Sequence, residues 1–319
     1  MSETPPLHFR AIEYSSPTPG PRLVVTGAVH GNETCGAEGI RRILQELDAG
    51  TLRIARGTLT LVPVTNPLAY AKRERNGDRN LNRNFTPTER PKDFEDRIVN
   101  WLAPLLRRHE VLLDLHSTRA ATQPFATFGP PDNDGSLEPF RHSAKERAFA
   151  RCLGVTRFVE GWLSTYARGV ERRSQAGYAN ALDSDARYGV GTTEYMRSAG
   201  GYAVTLECGQ HEDPAAIDVA YRAIRNALAF LDMSGEPAAP LVQRYELLKL
   251  REVVDRLHPD DRFERQWSSF DRLRAGEAIG RRHDGTVVAA DRDGWIVFPD
   301  RNAQPGNEWF YLAEGVAPG

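Results

Sequence analysis

Four stretches of the chain are apolar and rich in β-branched residues, and each runs out into polar ones: Arg22–Val29 (RLVVTGAV), Thr58–Thr65 (TLTLVPVT), Val111–Leu115 (VLLDL) and Tyr202–Leu206 (YAVTL). A strand with one wet face would alternate, so continuous apolar runs of this length predict strands covered on both faces. Between them apolar residues recur with helical spacing. Ile40, Ile43, Leu44 and Leu47 form one face that stops at Gly50, and Phe94, Ile98, Trp101, Leu102 and Leu105 form another. Ile217, Tyr221, Ile224, Leu228 and Leu231 form a third, with Asp213-Pro214 as the helix start. Strand and helix in alternation predict an α/β core: a mainly parallel mixed sheet flanked by helices.

The pattern changes after Met233. Ser234–Pro240 (SGEPAAP) is small, Pro-containing and linker-like. Beyond it, His283–Pro299 (HDGTVVAADRDGWIVFP) sets two Asp-Gly turn signals among β-branched and aromatic residues and reads as hairpins. The division expected is therefore a larger α/β domain over residues 1–233 and a small β-rich domain over 241–319. The segment Ser117–Ser136, rich in Gly, Pro, Asp and Asn, reads as one long loop of the kind that serves as a lid or binding loop.

Charge and composition narrow the partners. Among 319 residues, 41 basic and 43 acidic side chains leave a net charge of −2, which gives no electrostatic reason to expect nucleic acid or a membrane surface. No run reaches the ~20 apolar residues of a spanning helix, and Met1–Arg10 lacks the apolar stretch of a signal peptide. Three widely spaced cysteines (Cys35, Cys152, Cys208) form no CxxC pair, so a reducing cytoplasm is the expected location and each reads as a small buried hydrophobe. A homo-oligomer is compatible with all of this.

The chemistry sits where the strands end. The first strand runs into His30-Gly31-Asn32-Glu33, and in open α/β sheets ligands bind beyond the carboxyl ends of strands. The third strand ends in Asp114-Leu115-His116, whose residues 114 and 116 share a face. Two histidines and one carboxylate with a position left for water make a catalytic zinc arrangement, and Asp114 is placed to accept the second ring N–H of a ligating histidine. HxxE alone arises by chance; together with His116, on the ends of two predicted strands, it gains meaning. The fourth strand leads to Glu207, a carboxylate whose burial there suits it to carry a proton between water and a leaving amine. Cys208 faces the other way and is assigned no chemistry. The remaining histidines, including His109 and His211, read as surface or core.

After the second strand, Lys72–Phe85 packs arginines and asparagines together, which suits a carboxylate ligand but is weak as composition alone. Arg168, Arg172 and Arg173 read as a solvated loop.

Taken together, AVHGNE at Ala28–Glu33, NP at Asn66-Pro67, LNRNF at Leu81–Phe85, DLH at Asp114–His116 and LECG at Leu206–Gly209 resemble the succinylglutamate desuccinylase/aspartoacylase family, relatives of zinc carboxypeptidases. The resemblance implies a zinc carboxypeptidase-like core holding Zn2+ on His30, Glu33 and His116, with Glu207 as general acid/base. It implies that Arg75 polarises the scissile carbonyl and that Asn82 and Arg83 hold a substrate carboxylate. It also places Arg197 against a second substrate carboxylate and Tyr311 of the C-terminal domain against substrate. One departure is Asn80, where relatives often carry an acidic residue; its neutrality is expected to leave Arg79 and Arg83 less neutralised. The function expected is a zinc-dependent amidohydrolase cleaving a small N-acyl amino acid. The same motifs suit a metallocarboxypeptidase acting on short peptides, and a pocket without turnover would make a ligand-binding relative.

Overall fold

The computed structural model describes residues 7–175 and 185–317, so the start of the segment read above for a leader, residues 1–6, lies outside the described residues. All four apolar runs are strands. In chain order the strands are β1 (Ile12–Ser15), β2 (Arg22–Thr26), β3 (Thr58–Val62), β4 (Val111–Thr118), β5 (Phe125–Thr127), β6 (Arg157–Glu160) and β7 (Tyr202–Gln210). They continue as β8 (Glu246–Asp255), β9 (Arg262–Phe263), β10 (Arg272–Leu273), β11 (Ala278–Arg281), β12 (Val287–Ala289), β13 (Gly294–Val297) and β14 (Glu308–Val316). The helices are α1 (Cys35–Asp48), α2 (Pro67–Lys72), α3 (Phe94–Arg107), α4 (Ser143–Cys152), α5 (Trp162–Gln175), α6 (Thr192–Ser198) and α7 (Ala215–Phe230).

One sheet of eleven strands runs β1-β3-β2-β4-β7-β5-β6-β8-β14-β13-β10. Its centre is parallel, β3-β2-β4-β7, with β5 antiparallel to β7. Helices cover both faces, which is why the central strands read as unbroken apolar runs. Leu23 and Val25 face the layer of α1 and α7 and pack with Ile40, Ile43 and Ile224. Val24, between them, faces the opposite layer with Ile98, Leu102 and Met196. Each such fully buried aliphatic side chain contributes on the order of 1.5–3 kcal/mol. The chain leaves β2 for β3 on one side and then returns to β4 on the other, so the strand order reverses between β2 and β4. The crevice at that switch point is where open α/β sheets bind ligands.

Three local readings are corrected. The segment Ser117–Ser136 is not one loop: β4 extends to Thr118 and β5 follows, a strand of 3 residues too short to show a period. Arg168, Arg172 and Arg173 lie on α5, not in a solvated loop. There Arg172 pairs with Glu252 and Arg173 with Asp255 on β8. Of the two Asp-Gly signals, Asp284-Gly285 turns the β11–β12 hairpin, whereas Asp293-Gly294 opens β13, which pairs with β10 and β14 in the other sheet. After residue 240 the chain joins the large sheet through β8, parallel to β6. Among the described residues no helix is long and apolar enough to cross a membrane.

Candidate metal centre

The turn after β2 is shaped by two backbone features. Ala28 has φ +48°, a left-handed conformation that costs a non-glycine residue roughly 1–3 kcal/mol. It is held there by the Asn66 N–H donating to Ala28 O at 3.0 Å and the Thr65 N–H to Gly27 O at 2.9 Å. A Cβ on Gly31 would lie 2.0 Å from the Ala69 backbone, so α2 packs onto the His30–Glu33 turn only because residue 31 is glycine. Asn66 caps α2 by accepting from the Ala69 N–H and donates to Glu95 Oε1 at 2.8 Å. Buried Glu95 also accepts the backbone N–H groups of Gly77, Asp78 and Arg79, which fixes the loop that carries Asn80–Arg83.

His30, Glu33 and His116 each offer a ligand atom, all within 4.8 Å of one another and all buried. Both imidazoles turn Nδ1 towards Glu33, at 2.8 Å from Oε1 for His30 and 2.8 Å from Oε2 for His116. Their outer Nε2 atoms meet acceptors: Asn80 Oδ1 at 2.9 Å from His30 and Asp114 Oδ2 at 3.0 Å from His116. In a neutral ring whose Nε2–H donates outwards the Nδ1 lone pair would face inwards, the tautomer a metal ligand needs; here His116 Nδ1 instead donates to Glu33. The fit to a cation shows in a buried atom without a partner. His30 Nδ1 lies close to Glu33 but makes no aligned hydrogen bond. Two imidazoles and one carboxylate suit zinc.

The electrostatics are asymmetric. Burial, helped by Arg75, pushes the His30 imidazole down to about 4. Burial acts the same way on His116, but Asp114 and Glu33 on either side carry it well above its ordinary value. Burial disfavours the Glu33 carboxylate, and the two histidines nevertheless hold its pKa well below the usual range. The neutral Asn80 therefore stands where His116 has an anion. Because an outer partner of this kind changes metal affinity by about 10–100-fold, Asn80→Ala is expected to weaken zinc binding about 10-fold, and Asn80→Asp to tighten it. Competition against a chelating dye measures both.

Glu207 stands directly across from His116 in the β4–β7 register. It is buried, its Oε2 has no hydrogen-bond partner among the described residues, and burial, with Glu33 and Asp114 nearby, pushes its carboxyl up to about 8. Arg75 donates to Glu33 Oε1 at 2.9 Å. Asn82 accepts from the Thr192 N–H at 2.9 Å. Arg83 donates to Glu308 Oε1 at 3.0 Å and to Asn82 O at 2.9 Å, with its guanidinium 4.7 Å over the Trp162 ring. Tyr311 is buried with its hydroxyl unpaired among the described residues, and its ring lies 5.4 Å from that of Trp162. Arg197 is buried on Glu146, Glu138 and Glu194. Of the site residues picked out in the sequence, all but Asp114 line one cavity of about 600 Å³; Asp114 lies behind His116, bonded to Thr26 and Thr192.

Two expectations change here. Arg79 and Arg83 are not left less neutralised by Asn80, because Asp93 and Asp96 pair with Arg79 and Glu308 pairs with Arg83. His211 is neither surface nor core: it lines the cavity, with Nδ1 at 2.9 Å from Ser117 Oγ. Its one signal in the sequence is its place just past the strand end that carries Glu207.

Comparison with known proteins follows the same geometry. The catalytic-domain model of the succinylglutamate desuccinylase/aspartoacylase family matches residues 19–148, which include His30, Glu33, Arg75, Asn82, Arg83, Asp114 and His116. The N-acyl-aromatic-L-amino acid amidohydrolase (carboxylate-forming) of Rattus norvegicus is 39% identical over 114 residues, 32% of this chain and 34% of that protein. The chain thus spans about a third of the rat protein's length. A succinylglutamate desuccinylase of Vibrio cholerae is 24% identical over 287 residues, 89% of this chain and 78% of its own. Among solved structures, a succinylglutamate desuccinylase/aspartoacylase from Rhodobacter sphaeroides superposes with a TM-score of 0.70 at 19% identity, covering 97% of this chain and 90% of that one.

Proposed function

This chain belongs to the succinylglutamate desuccinylase/aspartoacylase family, and on that premise we propose that it is a zinc-dependent amidohydrolase that releases the acyl group of a small N-acyl amino acid as a carboxylate. The observation that carries the reading is the convergence of His30, Glu33 and His116 on one point with Glu207 across from it in the next strand. A zinc ion held by those three residues would supply Lewis-acid polarisation of a carbonyl and a more acidic water.

The protein's own groups then divide the work. Glu207 takes the proton from the attacking water, whose oxygen bonds to the carbonyl carbon, and delivers it to the nitrogen as the C–N bond breaks. Arg75, beside Glu33, is the cation placed to stabilise negative charge on the carbonyl oxygen. Asn82 and Arg83 hold the substrate carboxylate, and fixing it positions the amide. Tyr311, with its free hydroxyl, contacts the bound substrate from β14. The strands after residue 241 form the wall that keeps the cleft small, so a compact acyl amino acid fits where a longer peptide does not.

Glu308 is a competitor in this scheme, since it already neutralises Arg83. Glu308→Gln is expected to lower KM for an acyl amino acid about 3–10-fold, in keeping with the ~0.5–1.5 kcal/mol of a single hydrogen bond, whereas Arg83→Ala raises it. Steady-state kinetics read both. The substrate class is tested by kcat/KM of the zinc-loaded protein for N-acetyl amino acids beside the corresponding dipeptides. Hydrolysis of the acyl amino acids is expected. Cleavage of dipeptides alone would make the protein a carboxypeptidase, and silence on both would leave a binding protein.

A further inference from the structure

Arg83 and Arg197 both face the cavity, but their donors are differently engaged. A guanidinium has five N–H groups. All five of Arg197 are taken. Nε donates to Glu146 Oε2 at 2.8 Å, and Nη2 donates to Glu146 Oε1 at 3.1 Å and Ala203 O at 3.0 Å. Nη1 donates to Glu138 Oε1 at 2.7 Å and Glu194 Oε1 at 3.4 Å. Two of the acids are themselves anchored to backbone: Glu146 accepts the N–H groups of Gly129 and Ala203, and Glu194 that of Gly191. Among the described residues Arg83 donates to two partners, Asn82 O and Glu308.

Three carboxylates thus surround one buried cation, and the surplus charge is negative. Burial, with Glu194 and Glu146 adding to it against the pull of Arg197, pushes the Glu138 carboxyl up to about 7. A second substrate carboxylate approaching here would meet no free donor and would have to displace a carboxylate from a wall that is already anionic. The cavity lining also includes the apolar Phe128, Pro130, Val159 and Leu163.

We infer that Glu138, Glu146 and Glu194 close the Arg197 end of the cavity to anions, so that the substrate carries a single carboxylate and its acyl group and side chain are both uncharged. This selects among substrates of the deacylase proposed above and rests on that reading. The specificity is set by the residues that saturate Arg197, not by Arg197 itself.

The test uses pairs differing by one charge: N-acetylglutamine against N-acetylglutamate, and N-succinamoylphenylalanine against N-succinylphenylalanine. Kd is measured by calorimetry on the zinc-loaded Glu207→Gln protein, and kcat/KM on the wild type. The neutral member is expected to bind at least about 10-fold tighter, a factor that corresponds to ~1.4 kcal/mol, and to turn over with the same preference. Measured at about pH 8, where Glu138 is ionised, Glu138→Gln removes that negative charge at constant shape and is expected to shrink the ratio several-fold through the charged member. Equal or tighter binding of the charged member, or a ratio that Glu138→Gln leaves unmoved, overturns the inference. Turnover with the opposite preference would reject it and keep the deacylase. The neutral preference in binding with no turnover of any pair would keep the subsite and reject the deacylase.

Discussion

Replacing Glu207 by Gln is expected to lower kcat by about 10³-fold, the middle of the range for a lost general acid/base, while zinc content stays that of the wild type. The substitution is close to isosteric, so the packing of β7 beside β4 is kept. The amide cannot take a proton from water or pass one to the leaving nitrogen. Glu207 stands outside the cluster of His30, Glu33 and His116, so the ligand atoms are untouched. Its buried Oε2 has no hydrogen-bond partner, so no bond is broken by the change. A purely structural Glu207 would give another result: near-normal kcat with altered stability. Kinetics, metal analysis and a thermal melt on one preparation separate the two.

Replacing His116 by Ala is expected to abolish zinc binding and turnover together and to destabilise the fold. The imidazole lies between two buried carboxylates, Asp114 and Glu33, and its loss leaves both without their shared partner. Breaking a buried pair from one side costs about 3–5 kcal/mol. His30→Ala is the informative companion. Its outer partner is the neutral Asn80, so it strands fewer charges. It should remove the metal as completely, with the smaller loss of stability in denaturant titration. Equal stability losses would show that Asp114 is satisfied without His116.

Much of the site could be read from the sequence because it sits on strand ends. An apolar run followed by His30 and Glu33, by Asp114 and His116, or by Glu207 records both the strand and the place where it stops. The parallel centre of the sheet does the rest, laying β2, β4 and β7 side by side. Asp114 behind His116 was readable for the same reason, since two residues on one strand share a face. What stayed hidden depends on contacts that no local pattern records. Glu308 reaches Arg83 across 225 residues, and Glu146 reaches Arg197 across 51. Arginine in a motif says that a cation is present; only the fold says whether a carboxylate of the protein already occupies it. Asn80 likewise counted as a lost charge, and in the structure its amide oxygen supports His30. The missed strands β5 and β6, with 3 and 4 residues, are too short to carry a period.

The most direct test of the central claim is amine release from an N-acyl amino acid by one preparation in three states: as zinc-loaded protein, after stripping with a chelator, and after zinc is restored. The account predicts turnover in the first state, none in the second and recovery in the third. Release that is indifferent to chelation would contradict it. So would a protein that binds zinc on His30, Glu33 and His116 yet leaves every acyl amino acid intact.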